Sequence, residues 1–131
     1  MRRLPHPSFS PSTFSKKAQE INLLSQRVSQ YLMPEMAGLR DDGTEEEKIY
    51  LTGDIVRHSH SLLPKIVKAE TGAFSEDRHR YAVAVSKHAK RLYRACERLG
   101  KVNSNGRDFA LLLQTELKKF RKLEHVWVLT L

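Results

Sequence analysis

Apolar positions recur at steps of three and four in four separate stretches, the spacing of helices with one buried face, and they do not fall into the two-residue alternation of half-buried strands. Phe14, Ala18, Ile21, Leu24, Val28 and Tyr31/Leu32 predict a first helix over about 13–33, which Pro34 ends by disfavouring helical geometry at Met33. Leu51, Ile55, His58, Leu62, Ile66 and Ala69 predict a second over about 44–70. Its entry carries a capping box, Thr44 with Glu47, and Glu45 and Glu46 add charge that favours the same end. Gly72 closes it, and Pro64 removes the bond to the carbonyl of His60, so a kink is expected there.

The third stripe is Tyr81, Val85, His88, Leu92, Ala95 with Cys96, and Leu99, predicting a helix over about 76–99 with Ser75 as its cap and Gly100 as its stop. The Asn103-Ser104-Asn105-Gly106 run is rich in turn formers. A fourth helix over about 105–128 follows, with Phe109, Leu112/Leu113, Leu117, Phe120, Leu123 and Trp127 on its apolar face. Four amphipathic helices on short connections predict an all-α fold, an antiparallel up-down-up-down four-helix bundle over residues 12–131. Residues 1–11, with Pro5, Pro7, Pro11, Arg2 and Arg3, read as a proline-rich basic arm. The tail from Val126 to Leu131 is apolar enough that it should complete the core or pack on another subunit.

A chain of 131 residues suits one domain whose core needs no disulfide framework. The single cysteine, Cys96, lies on the apolar stripe, as a small core residue does in a reducing compartment. No stretch approaches the roughly 20 apolar residues that span a bilayer. Met1-Arg2-Arg3 leads to Leu4-Pro5 and not to an apolar run, so a soluble cytoplasmic protein without a secretory signal is expected.

Charge changes the picture most. The net charge is +8, and residues 1–71 hold 10 Lys/Arg against 9 Asp/Glu whereas residues 72–131 hold 13 against 6. Much of the excess falls on the third helix, where Arg80, Lys87, Arg91, Arg94, Arg98 and Lys101 repeat the steps of the apolar stripe, rotated by one residue or about 100°. Such a rail is roughly 30 Å long. An ordinary solvated face mixes both signs so that i, i+4 pairs form. Here only Glu76, Asp77 and Glu97 are acidic, and the first two sit in the opening turn, where the helix dipole favours them. A one-sign rail repels itself unless a polyanion or an acidic protein surface meets it.

Lys118, Lys119, Arg121 and Lys122 of the fourth helix lie close enough along the axis to extend the rail. The candidate nucleic-acid-binding residues are therefore Arg80, Lys87, Arg91, Arg94, Arg98, Lys101, Lys118, Arg121 and Lys122, with RNA or DNA held by its phosphates. Arginine at the centre of the rail suits bidentate phosphate contact. The alternative is an oligomeric interaction module whose rail meets an acidic partner.

Catalytic constellations are weak. His58 and His60 are two residues apart and point to different faces, so they cannot share a metal as i, i+4 ligands do. His58 has Asp54 one turn earlier, an arrangement that suits either a carboxylate-oriented base or a hydrogen-bonded histidine at the core margin. His88 lacks a second ligand at i±3 or i±4, and no Gly-rich phosphate loop, HExxH or CxxC occurs. HEPN ribonucleases use an Arg and a His with four to six residues between them; Arg121 and His125 have three between them, one too few. Helical nucleotide pyrophosphohydrolases need carboxylates paired on two helices for Mg²⁺; Glu45, Glu46, Glu47 and Asp54 are on one helix, and the next offers only Glu76 and Asp77 at its start. No catalytic residue, metal or cofactor is expected, and a HEPN-like or other small helical hydrolase remains the enzymatic alternative.

In order and length of helices, residues 20–128 resemble the accessory variability determinant proteins of diversity-generating retroelements and the related four-helix proteins of ribosomal-RNA intervening sequences. The resemblance rests on Val28-x-x-Tyr31-Leu32-x-Pro34, the Leu51-Thr52-Gly53-Asp54 step, Leu92-Tyr93-Arg94 through Leu99, and Phe120-Arg121-Lys122-Leu123 through Trp127. It implies a basic bundle that forms a ring-like homo-oligomeric pentamer, binds nucleic acid without strong sequence preference and partners a reverse transcriptase. Carried over by position, the binding role falls on Arg91, Arg94, Arg98, Arg121 and Lys122. The longer proline-rich arm and the apolar C-terminus depart from that pattern.

Overall fold

The computed structural model describes residues 11–32, 47–102 and 106–131. They form four α-helices and, among the described residues, no strand: α1 (Pro11–Leu32), α2 (Glu47–Thr71), α3 (Ser75–Val102) and α4 (Arg107–Val128). Each helix packs on its neighbours in chain order, and α1 closes the ring on α4. The directions alternate: Phe14, near the start of α1, meets Phe120 and Trp127 near the end of α4, while Tyr31 at the end of α1 meets Phe109 at the start of α4. The fold is thus the up-down-up-down bundle that the periodicity requires. None of the described helices is long and apolar enough to cross a membrane.

The core follows the stripes closely. Leu51, Ile55, His58, Leu62, Ile66 and Ala69 of α2 are all buried, and α3 buries Val85, Leu92, Ala95, Cys96 and Leu99 together with Ala82 and Ala89. Small residues at 82, 89 and 95 let α3 lie close to its neighbours, since interhelical distance depends on the side chains at the contact. Two expected positions turn outward, Tyr31 and Leu112, while their sequence neighbours Leu32 and Leu113 take the core places. One end of the bundle is closed by aromatic packing: Phe14 stacks on Phe120 at 4.5 Å between centroids and tilts against Trp127 at 4.7 Å. The indole Nε1 of Trp127 donates to Glu70 Oε2 at 3.0 Å, which binds the end of α4 to the end of α2. The apolar tail is therefore split in role, because Trp127 completes the core whereas Val126 and Leu129 remain exposed.

Several local expectations need correction. α3 does not stop at Gly100 but runs through to Val102. A methyl group at Gly100 would lie 3.7 Å from Ala110 Cβ, so this glycine sits at the close approach of α3 and α4, where Arg107 Nε also donates to its carbonyl at 3.3 Å. Ser75 is the first helical residue, and its hydroxyl faces the His79 ring, whose Nδ1 donates to the Ser75 carbonyl at 2.7 Å. Arg78 N–H bonds the Phe74 carbonyl at 3.1 Å, so the first turn closes on the residue before Ser75. α2 continues as one helix through Pro64, which is exposed, so the lost bond to His60 falls on the water-facing side. α1 begins at Pro11, a residue pre-set for a first helical turn. The proline-rich arm up to Ser10, the Gly38–Gly43 turn and Thr44 of the capping box lie outside the described residues.

Polar side chains also join the helices. Ser25 of α1 meets Ser59 of α2 hydroxyl to hydroxyl at 2.5 Å. Lys17 of α1 donates to Glu116 of α4 at 2.9 Å as well as to Glu20 at 2.7 Å, and its pKa is raised by those carboxylates, Glu20 first.

Candidate nucleic-acid interface

All six residues of the α3 rail, Arg80, Lys87, Arg91, Arg94, Arg98 and Lys101, are exposed. They are so because the buried residues of α3 occupy the side turned toward α2 and α4, and charged side chains at the remaining positions keep their solvation. The rail is uneven. At its first end Arg80 donates to Asp77 Oδ1 at 2.9 Å and lies over the Tyr81 ring, 5.4 Å from its centroid, beside Lys65 and Lys68 of α2. Arg80 is therefore partly compensated, unlike a cation held out for a ligand.

The middle of the rail opens onto a groove between α3 and α4. Lys90, Tyr93 and Arg94 of α3 and Arg121 of α4 surround a cavity of about 270 Å³ over Ala89 and Leu117. Ala89 and Leu117 are buried and form its apolar floor; Lys90 and Arg94 are exposed at the rim. Fourth-helix charge is thus joined to third-helix charge at Arg121. Lys118 and Lys122 are exposed and share a face by their four-residue spacing, and Lys118 stands one turn before Arg121. Lys119 turns the other way, donating to Glu116 at 3.1 Å toward α1. Lys90 and Tyr93 also belong to this site; Lys90, three residues after Lys87 and four before Arg94, was legible from the same periodicity, whereas Tyr93 joins only through the packing of α3 on α4.

Arg121 is held in place by Glu124. Its Nε lies 3.1 Å from Glu124 Oε1, outside hydrogen-bonding alignment, so the pair is electrostatic and that oxygen accepts no hydrogen bond. Glu124 is only 6% exposed. Burial pushes its carboxyl pKa up, and Arg121, His125 and Lys90 oppose that rise. Beyond Arg121 the groove continues into a second cavity of about 430 Å³, lined by Ala82, Val83, Ser86, Val128 and Leu129 among others.

His58 is the hydrogen-bonded histidine at the core margin that the sequence offered, with a different partner from Asp54. Asp54 is taken by Arg57, not by His58. His58 meets His88 across the α2–α3 interface, Nδ1 to Nδ1 at 3.0 Å, so one ring donates and the other accepts. That contact requires at least one neutral ring. Desolvation first, then the other cations nearby, lowers both pKa values: His88, Arg57 and Arg91 act on His58, with Asp54 opposing, and Lys65, Arg91 and Arg57 act on His88. A histidine whose folded pKa is depressed contributes stability that is whole above its unfolded value near 6.5 and lost as pH falls through the folded value. Thermal unfolding between pH 7.5 and 5 should show a falling Tm, with a shallower fall in His88→Leu; parallel curves would remove the pair as the cause.

Cys96 is buried and its thiol pKa is pushed up to about 12 by desolvation, so it is not a nucleophile near neutral pH. Among the described residues no cluster of three or more His, Cys, Asp or Glu is placed to hold a metal ion. No protein-family model, curated protein or solved structure matches the chain, so the basic face has to be read from its own chemistry.

Proposed function

We propose that this bundle is a non-catalytic accessory protein that holds RNA or DNA by its phosphate backbone along α3 and the adjoining side of α4. The observation that carries the reading is the convergence of Lys90 and Arg94 from one helix with Arg121 from the next on a single groove, in line with the exposed cations Lys87, Arg91, Arg98 and Lys101. Phosphate contacts of this kind position a nucleic acid without reading its sequence. The resemblance to the accessory variability determinant proteins extends the proposal to a cytoplasmic homo-oligomer that docks a reverse transcriptase.

Fluorescence anisotropy with two unrelated labelled oligonucleotides, RNA and DNA, over a salt series tests the core of it. Affinities that agree within a few-fold between sequences and fall linearly in log K against log salt are expected. No binding to either polymer at low salt would end the proposal and leave an acidic protein surface as the partner of the rail.

A further inference from the structure

We infer that the α3–α4 groove makes this face a reader of single strands, taking unstacked bases into its two cavities on either side of Arg121. The inference rests on the nucleic-acid reading above and names which form of the polymer the site accepts.

The two cavities have the alternation that a single strand presents. The first is apolar at its base, Ala89 and Leu117, and has an aromatic ring, Tyr93, in its wall. The second is mixed: Ala82, Val83, Val128 and Leu129 give it apolar walls, and His79, Ser86, Glu124 and His125 line it as well. Arg121 lines both, so one guanidinium stands between an apolar recess and a mixed one. A strand with its bases turned inward would set a phosphate at Arg121 and bases to each side, with Lys90 and Arg94 at the rim of the first recess for the next phosphate.

Size and rigidity agree with this. At about 270 Å³ the first recess is just below the roughly 300–1,000 Å³ of a drug-sized site, which leaves room for a nucleobase. Glu124 acts as a positioning residue: buried and ion-paired to Nε, it holds the Arg121 guanidinium at the groove, so less side-chain freedom is lost on binding. A duplex could reach only the rim cations, because its bases are paired and stacked inside, and the apolar floor would stay uncovered. Stacking on a tyrosine tolerates any base, which keeps the site sequence-indifferent.

The test compares three ligands of equal length at one salt concentration: an oligo(dT) single strand, the same backbone made of abasic sites, and a mixed-sequence duplex. The full chain should bind the single strand at least ten-fold more tightly than the abasic strand, although both carry the same phosphates. Tyr93→Leu keeps apolar volume but removes the ring, and should weaken single-strand binding about 5- to 150-fold, the factor that corresponds to one lost base stack. Its binding to duplex and abasic strand should be unchanged. Equal affinity of the wild-type chain for all three ligands would overturn the inference while leaving phosphate binding intact. Loss of affinity for the abasic strand with no effect of Tyr93→Leu would place the bases elsewhere and overturn the groove assignment. No binding of any ligand removes the nucleic-acid reading itself. The abasic comparison uses the wild-type protein, so it decides the matter even where the Tyr93 variant folds poorly.

Discussion

Leu92→Asp is expected to unfold the bundle, whereas Arg91→Ala, one residue away, should leave it folded. Leu92 is fully buried in the middle of α3, among the largest side chains that make up the core. Truncating a buried leucine costs about 2–5 kcal/mol. Burying a polar group without a partner adds roughly 2–7 kcal/mol, and an ionised carboxylate adds more unless it stays protonated. The sum is comparable to the whole stability of a small domain, about 5–15 kcal/mol. Arg91 is exposed, and a surface substitution away from caps and core changes stability by about 0.5 kcal/mol or less. Far-ultraviolet circular dichroism and urea titration of the two variants check this pair. Equal loss of helix in both would mean that the faces of α3 are assigned wrongly.

The second large effect concerns binding. Arg91→Ala, Arg94→Ala, Arg98→Ala and Lys101→Ala should each weaken nucleic-acid binding alike for unrelated sequences, and each should reduce the slope of log K against log salt by about 0.7–0.9, because one fewer counterion is released. The four together should flatten it by about 3. Arg121→Ala should fall short of them, because Glu124 at 3.1 Å already offsets part of that charge. Arg80→Ala should change the slope least, because Asp77 already compensates that guanidinium. Melting temperatures should stay level or rise as like-charge repulsion is relieved. An unchanged slope in all of these variants would take the rail out of the binding site, and a single dominant arginine with relaxed preference at one position would mean base reading in its place.

Helix periodicity carried the fold: a buried face every three or four residues is a local property, so the four stripes determined the four helices, and short connections determined that neighbours run antiparallel. Thus Leu62, Leu92 and Trp127 were legible as core without coordinates. The exposed rail on α3 was legible for the same reason, because residues at steps of three and four share a face whatever the rest of the chain does. Helix ends were read less well. Gly100 is a stop signal in isolation, but at this position it lets α4 approach through Ala110, and packing outweighs the roughly 1 kcal/mol that a helical glycine costs. Contacts between helices belong to the tertiary structure alone. His58 and His88 are thirty residues apart, Arg94 and Arg121 twenty-seven, and Trp127 and Glu70 fifty-seven; which rotations bring each pair together depends on how all four helices pack. For that reason the sequence determined that this protein presents a line of positive charge, and only the packed bundle decided that the line borders an apolar groove anchored by a buried carboxylate.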